Sequence, residues 1–423
     1  MICRFGVANF KPFADEVVLD FFGNGNIKRL DYNCIKQNGK SILKTIGIYG
    51  PNNTGKTWIL NAMVYLRSLM LNESRNLHMA NDFAGKESVT SFQVEYCIEG
   101  RFYVYSLDYD SATKEYRREK LQRKTYEGGS VQTKTIFDRN GDKLTWFGMG
   151  QELKGINMLQ FFSPAFPFMM VFNNLSDPNL GQAKADYLRF AQSLTIVRME
   201  LPLDISETIH LMESDPKAKA KDFIRQFVLN CDLHIDDFGF DDDVVSDVEA
   251  TEELQYVMSN PTLPKETLKF YSRHNGFRVP SLLFDSIGTQ KLVALAGYIY
   301  EAMKDGKVLI IDQIDSSLHH ILTKSLVAMF NNILNVKSQL VFTTHDILLL
   351  DLKELFRKDQ IYLVDVKDRS SSEIIRMSDH FTARAENGIR GDEDITGYYL
   401  KGQFGGIPTP NLFASLEAAI SDE

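Results

Sequence analysis

The 423-residue sequence predicts an α/β fold: a parallel sheet flanked by helices, an antiparallel β lobe, and an inserted short helical region. Three observations predict it. Residues 286–364 alternate helical and strand patterns, the signature of βαβ units and a parallel sheet. Residues 91–146 alternate apolar and polar side chains with a period of two, as antiparallel strands do. Residues 177–233 carry mostly helical spacing, with starts at Asp204-Ile205-Ser206 and Ser214-Asp215-Pro216.

In chain order, residues 3–8 and 16–21 read as paired strands around the turn Lys11-Pro12-Phe13. Thr45 to Tyr49 is a short apolar run followed by glycine, a buried strand. Residues 57–71 then place Ile59, Leu60, Met63, Leu66, Leu69 and Met70 on one helical face. The strands of residues 91–146 turn at Glu99-Gly100, Gly128-Gly129 and Asn140-Gly141. Residues 270–283 read as a hairpin turning at Asn275-Gly276. Beyond it come a helix near 289–303, a strand at 308–311, a helix at 318–334, a strand at 339–343, a helix start at Asp346 and a strand at 361–364.

The composition narrows the class. With 44% hydrophobic and 24% charged residues, a sizeable core forms and disorder is not the default. The formal net charge of −9 excludes a generally basic nucleic-acid coat but not a local basic groove. Cys3, Cys34, Cys97 and Cys231 form no CxxC pair and read as reduced thiols of a cytoplasmic protein. The N-terminus lacks a signal-peptide apolar region, and no stretch reaches the roughly 20 apolar residues of a membrane span. The expected localisation is cytoplasmic, with no membrane.

Gly50-Pro51-Asn52-Asn53-Thr54-Gly55-Lys56-Thr57 matches G-x-x-x-x-G-K-[ST] between a strand and a helix, the context that confirms a phosphate loop. Its glycines let backbone N–H groups turn inward around phosphate oxygens, and the helix start adds its positive dipole end. Lys56 supplies a cation for the β/γ phosphates, and Thr57 a hydroxyl for Mg²⁺. Val308 to Ile311 is an apolar strand ending in Asp312, a carboxylate placed for a Mg²⁺-bound water. The next residue in such sites is normally a glutamate that polarises the attacking water; here it is Gln313, whose amide can hold a water but not usefully take its proton. Two readings stay open: an introduced Glu→Gln substitution that traps nucleotide, or a natural glutamine in a slow or inactive hydrolase.

Ser286-Ile287-Gly288-Thr289-Gln290-Lys291 opens an amphipathic helix and, taken alone, is a capped helix start. His345, at the end of the strand Phe342-Thr343-Thr344, can meet a γ-phosphate with its imidazole.

The order of loop, serine-led helix start, carboxylate strand and histidine resembles the ATP-binding-cassette ATPases of the SMC, RecF and OLD group. The resemblance implies an ABC-type P-loop ATPase head with ATP and Mg²⁺ as its ligands. Residues 1–150 and 266–423 would form the two halves of the head around a mainly helical insertion, 151–265. Asn52, Asn53, Thr54, Gly55, Lys56, Thr57 and Trp58 then fall on the nucleotide-binding loop. Ser286, Gly288, Thr289 and Gln290 fall on the signature that meets ATP held by a second subunit. Thr57 and Asp312 fall on the metal position, Gln313 on the general base and His345 on the switch. Asp315-Ser316-Ser317-Leu318 falls on the loop that crosses to the partner. Asn9-Phe10-Lys11-Pro12-Phe13 looks like the segment whose basic residue, here Lys11, lies near the nucleotide. No glutamine is placed at the group's Q-loop, and Gln93 is left in its strand.

Within that group the chain looks most like the compact ATPases of prokaryotic defence operons: RloA-like and abortive-infection proteins and the ATPase subunit of the PARIS system. The tail from Tyr399 to Pro408 also looks like that family's closing motif, while His320 stands where proline is usual. The resemblance implies a homo-oligomer, dimer or higher, with composite ATP sites. It further implies an anti-phage role through a separate effector such as a TOPRIM-type nuclease. The alternatives are a RecF-like repair ATPase that binds duplex DNA, and a non-hydrolysing scaffold in which ATP only holds an oligomer together.

The remaining runs are plainer. Lys114, Arg117, Arg118, Lys120, Arg123 and Lys124 with Tyr116 and Tyr126 offer a nucleic-acid face, more simply a solvated strand face. The acidic run from Asp236 to Glu253 lacks the spacing of a calcium loop and reads as solvated or partner-docking surface. The aromatic and methionine-rich residues 161–172 read as core, with an assembly interface second.

Overall fold

The computed structural model describes residues 1–73, 78–83, 88–127, 130–141, 143–146, 153–157, 163–171, 178–199, 204–214, 218–231, 233–241, 269–379, 395–405, 407, 412, 413 and 415. The turn at 128–129, most of the acidic run, the closing motif's Gly406 and Pro408, and Phe161, Phe162 and Phe172 lie outside the described residues.

The chain opens with β1 (Ile2–Ala8), β2 (Val17–Asp20), β3 (Cys34–Gln37), β4 (Lys40–Leu43), β5 (Thr45–Tyr49) and α1 (Lys56–Met70). Six strands follow: β6 (Val89–Ile98), β7 (Arg101–Asp110), β8 (Glu115–Glu127), β9 (Ser130–Asn140), β10 (Lys143–Trp146) and β11 (Leu153–Asn157). The middle holds α2 (Phe168–Val171), α3 (Pro178–Ser193), β12 (Leu194–Arg198), α4 (Ser206–Ser214), α5 (Lys219–Leu229), β13 (Asp237–Phe240), β14 (Phe270–His274) and β15 (Phe277–Pro280). The last part runs α6 (Ser281–Phe284), α7 (Ile287–Asp305), β16 (Val308–Asp312), α8 (His320–Asn331), β17 (Gln339–Thr343), β18 (Ile361–Asp368), β19 (Ser371–Arg376) and α9 (Ile395–Leu400).

Two large sheets result. One has the order β12-β16-β17-β5-β18-β19, with its first five strands parallel and β19 antiparallel at the edge. β5 and β17 are buried along their whole length and β16 in its first four residues, as strands covered on both faces must be. The other sheet is antiparallel, in the order β11-β10-β9-β8-β7-β6-β1-β2. Ile59, Leu60, Met63 and Leu66 of α1 share one core with residues of both sheets, so α1 is the wedge between them. A second core joins the other face of the parallel sheet to α7 and α8, and a third joins α4 and α5 to α7. The α/β architecture is the expected one: a mostly parallel sheet flanked by helices, with an antiparallel β lobe beside it.

The expected helical span 177–233 contains a strand, β12, paired in parallel with β16. Its Thr195-Ile196-Val197 core is β-branched, and Ser193 closes the preceding helix by donating its hydroxyl to the Phe190 carbonyl at 2.7 Å. Segment 151–265 thus supplies a strand to the head, and β11 to the antiparallel sheet. The helix expected over 318–334 is shorter. His319 caps its start by accepting from the Ile321 N–H, and the Asn335 amide donates to the Phe330 carbonyl at its end. The helix expected at Asp346 is one 3₁₀ turn, Ile347–Leu349. Asp237–Phe240 adds a third strand to the 270–280 hairpin, and β18 runs past Val364 to return as β19.

The basic run on β8 is largely matched by carboxylates: Arg117 by Asp110 at 2.8 Å, Lys120 by Asp138 at 3.2 Å, Lys124 by Glu95 at 2.8 Å. Phe168 and Met169 are core, while Phe166 is 45% exposed. All four cysteines are free and buried. Among the described residues no helix is long and apolar enough to cross a membrane.

Candidate functional site

The site lies at the carboxyl ends of the parallel strands, where an open α/β sheet exposes unpaired backbone and the connecting loops can be shaped freely. β5 ends at Tyr49 and the chain turns sharply at Gly50, with φ 151°. A Cβ there would stand 2.3 Å from the Val364 carbonyl oxygen, so only glycine fits against β18. Gly55, at φ 114°, lies against Pro12 and Phe13, where a Cβ would stand 2.8 Å from Pro12 Cγ. The turn after β1 therefore packs on the phosphate loop.

Between these glycines, Lys56 Nζ donates to the carbonyls of Gly50 at 2.7 Å and Pro51 at 2.6 Å. Burial pulls its ammonium down to about 8, against the opposing pull of Asp312 and Asp315. Thr54 is buried with its hydroxyl on the Pro51 carbonyl at 2.9 Å; its side chain shapes the loop and does not face the cleft. Thr57 donates to Asp312 Oδ2 at 2.8 Å, and Thr343 donates to Asp312 Oδ1 at 2.5 Å. The Gln313 N–H in turn donates to Thr343 Oγ1 at 2.8 Å, holding Gln313 in the left-handed region at φ 53°. Such a conformation in a non-glycine residue persists where neighbours over-determine it.

These residues line a cleft of about 650 Å³. Lys11, Asn52, Asn53, Gly55, Lys56, Thr57, Trp58, Asp312, Gln313 and His345 all reach it. Lys11 Nζ stands 5.7 Å from the centre of the Trp58 ring. Burial, with the positive Lys56 nearby, holds the His345 imidazole below its usual range. Its backbone N–H faces Asp315 Oδ2 at 3.4 Å.

Ser286, Gly288, Thr289 and Gln290 do not line this cleft. Ser286 caps α7 by accepting from the Thr289 N–H at 3.3 Å. Gly288 lies against the crossing loop: a Cβ would stand 2.8 Å from the Ser317 carbonyl oxygen. Lys291 Nζ donates to the Ser316 hydroxyl and carbonyl at 2.9 and 3.1 Å. The start of α7 and the loop 315–318 thus form one unit within the chain, outside the cleft.

Phe83 and Arg369 of the cleft, and Arg198 of the recess beside it, escape the sequence reading. Asn81 donates to the Ser370 carbonyl at 3.0 Å and accepts from the Phe83 N–H at 2.8 Å, which brings Phe83 and Arg369 to the rim. Arg198 ends β12 directly opposite Asp312. The β-branched run Thr195-Ile196-Val197 is the signal that could have placed it.

Residues 208–351 match the family model described as "AAA domain, putative AbiEii toxin, Type IV TA system". No curated protein matches the chain. Among solved structures, the SMC head domain from Thermotoga maritima is similar over 89% of this chain and 98% of its own, at 12% identity and a TM-score of 0.41. The SmcHead bound to the C-winged helix domain of ScpA is similar over 88% and 96%, at 11% identity and a TM-score of 0.45.

Proposed function

We propose that the chain is an ABC/SMC-like ATPase that binds ATP with Mg²⁺ and uses ATP-dependent closure with a second copy of itself as a switch. One observation carries this reading. Lys56 and Thr57 from the start of α1, Asp312 from the end of β16 and His345 just beyond β17 converge on one cleft.

The residues present fit the ligands. Thr57 and Asp312 offer a hydroxyl and a carboxylate 2.8 Å apart. Among the described residues no group of three or more His, Cys, Asp or Glu could hold a metal alone. Mg²⁺ suits such sparse ligation, because it keeps waters and takes phosphate oxygens. Bound there, it would neutralise phosphate charge. Lys56 exchanges its two loop carbonyls for phosphate oxygens, and His345 donates a ring N–H. Gln313 orients water without accepting its proton, so hydrolysis through a base at this position requires a carboxylate.

The signature residues lie outside the cleft, which supports completion of the site by a second copy. Ile287 beside the signature and Ile321 beyond the crossing loop are 46% and 64% exposed, apolar surface that closure would cover. The resemblance to defence-operon ATPases supports an anti-phage setting with a separate effector nuclease, and the AAA match over residues 208–351 is in keeping with it. A second reading, the non-hydrolysing scaffold, is favoured by Gln313 itself. The RecF-like reading is disfavoured by the net charge of −9 and by the ion-paired basic face.

Light scattering after gel filtration, with Mg·ATP, Mg·ADP and no nucleotide, tests the switch. A mass that rises only with ATP is expected. An oligomeric state unchanged by ATP rejects it.

A further inference from the structure

We infer that Arg198 is the residue that distinguishes a nucleoside triphosphate from a diphosphate, by donating to the terminal phosphate from within the same chain. The inference rests on the ATP reading above and names a recognition residue within that site.

Two independent observations place it. First, β12 and β16 are parallel neighbours in which Arg198 is the register partner of Asp312. Residues paired in this way project from the same face of the sheet, so Arg198 leaves the sheet on the side from which Asp312 meets Thr57. Second, Arg198 lines a recess of about 230 Å³ together with Thr57, Asn61, Asp312 and Gln313. Thr57, Asp312 and Gln313 also line the main cleft, so the two cavities share one wall. Thr57 and Asn61 are one helical turn apart on α1, and Tyr65, a further turn on, feels the charge of Arg198.

The chemistry of the side chain then selects the ligand. A guanidinium has five donors and no acceptor, so it cannot ligate Mg²⁺ beside Thr57 and Asp312; it matches phosphate oxygens. Arg198 is exposed and, among the described residues, has no carboxylate within ion-pair distance. Lys56 holds the Gly50 side of the loop and does not line this recess. Gln313, on the wall the two cavities share, carries no charge. Arg198 is therefore the cation available at the Asp312–Gln313 end, where the group added in going from diphosphate to triphosphate brings the extra negative charge.

The test is calorimetric titration of the full chain with ATP and ADP, each with Mg²⁺ and with EDTA. Arg198→Ala is expected to weaken ATP about tenfold and ADP less than twofold, in both metal conditions, with the melting temperature unchanged. Arg198→Lys should regain part of the loss, and Lys56→Ala should weaken both nucleotides. Equal loss for ATP and ADP, no loss at all, or a loss confined to the Mg²⁺ arm each overturns the inference. A parent chain that binds neither nucleotide overturns the ATP reading itself.

Discussion

The Thr57 hydroxyl donates to Asp312 Oδ2 over 2.8 Å, joining segments 255 residues apart in the chain. The hydroxyl and carboxylate that would share a metal already touch, and Thr343 fixes the other carboxylate oxygen. Asp312→Asn keeps the shape and can bond both threonines, but it removes the charge. Its affinity for ATP with Mg²⁺ should fall at least tenfold while affinity in EDTA stays within about twofold. Titration in both conditions checks this; equal losses in both would place Asp312 outside the metal site.

Lys56 makes nucleotide binding pH-dependent. In the nucleotide-free protein its ammonium titrates near 8, because burial disfavours the charge. Phosphate oxygens favour the charged form, so the bound-state value is higher than the free one. Binding is then strongest below pH 8, takes up a proton as pH rises past 8, and weakens by up to about tenfold per unit until the bound-state value is reached. Calorimetry in buffers of different ionisation enthalpy measures the uptake. It should grow from near zero at pH 7 toward one proton at pH 9, and vanish in Lys56→Met.

Much of this site is legible in sequence because its chemistry is local. Gly50 to Thr57 is a contiguous loop, and four apolar residues before Asp312 mark a strand buried on both faces. What stays hidden is set by long-range pairing. β12 follows Ser193 with no glycine or proline to announce it, and its short β-branched run Thr195-Ile196-Val197 is fixed as a strand by its place beside β16. Phe83 and Arg369 reach the rim because Asn81 bonds a carbonyl 289 residues away. The signature is legible as a capped helix, yet its separation from the cleft appears only when Gly288 and Lys291 are seen against Ser316 and Ser317.

Gly297 joins the middle segment to the head. A Cβ on it would stand 2.6 Å from Thr208 Oγ1 and 2.7 Å from both Thr208 Cα and N. That approach lets the Thr208 hydroxyl share the Val293 and Ala294 carbonyls, at 3.0 and 3.1 Å, and accept from the Gly297 N–H at 3.1 Å. Helix propensity alone would make Gly297→Ala stabilising by about 1 kcal/mol. The backbone clash wins, and a net loss of about 1–3 kcal/mol in urea unfolding is expected. Adding Thr208→Ala should not rescue it, because Cα and N remain in the way. A stabilised Gly297→Ala would show that α4 and α7 do not meet this closely.

Gln313→Glu decides between switch and scaffold. The backbone at 313 is held by the Thr343 hydroxyl at 2.8 Å and by its own left-handed turn, neither of which involves the side chain. The side chain is exposed, so exchanging the amide for an isosteric carboxylate disturbs no packing. Any gain in turnover is then chemical: a group able to accept the water's proton has replaced one that is not. A positioned general base contributes about 10²–10⁴-fold, so steady-state ATP hydrolysis should rise at least about 100-fold over the parent chain. The same change should shorten the lifetime of any ATP-induced oligomer, since hydrolysis resets it. Asp315 is no substitute base: it turns Oδ2 toward the His345 N–H and does not line the cleft. No gain from Gln313→Glu, in a chain that binds ATP and closes on it, would leave ATP as a structural clamp and the scaffold as the correct reading.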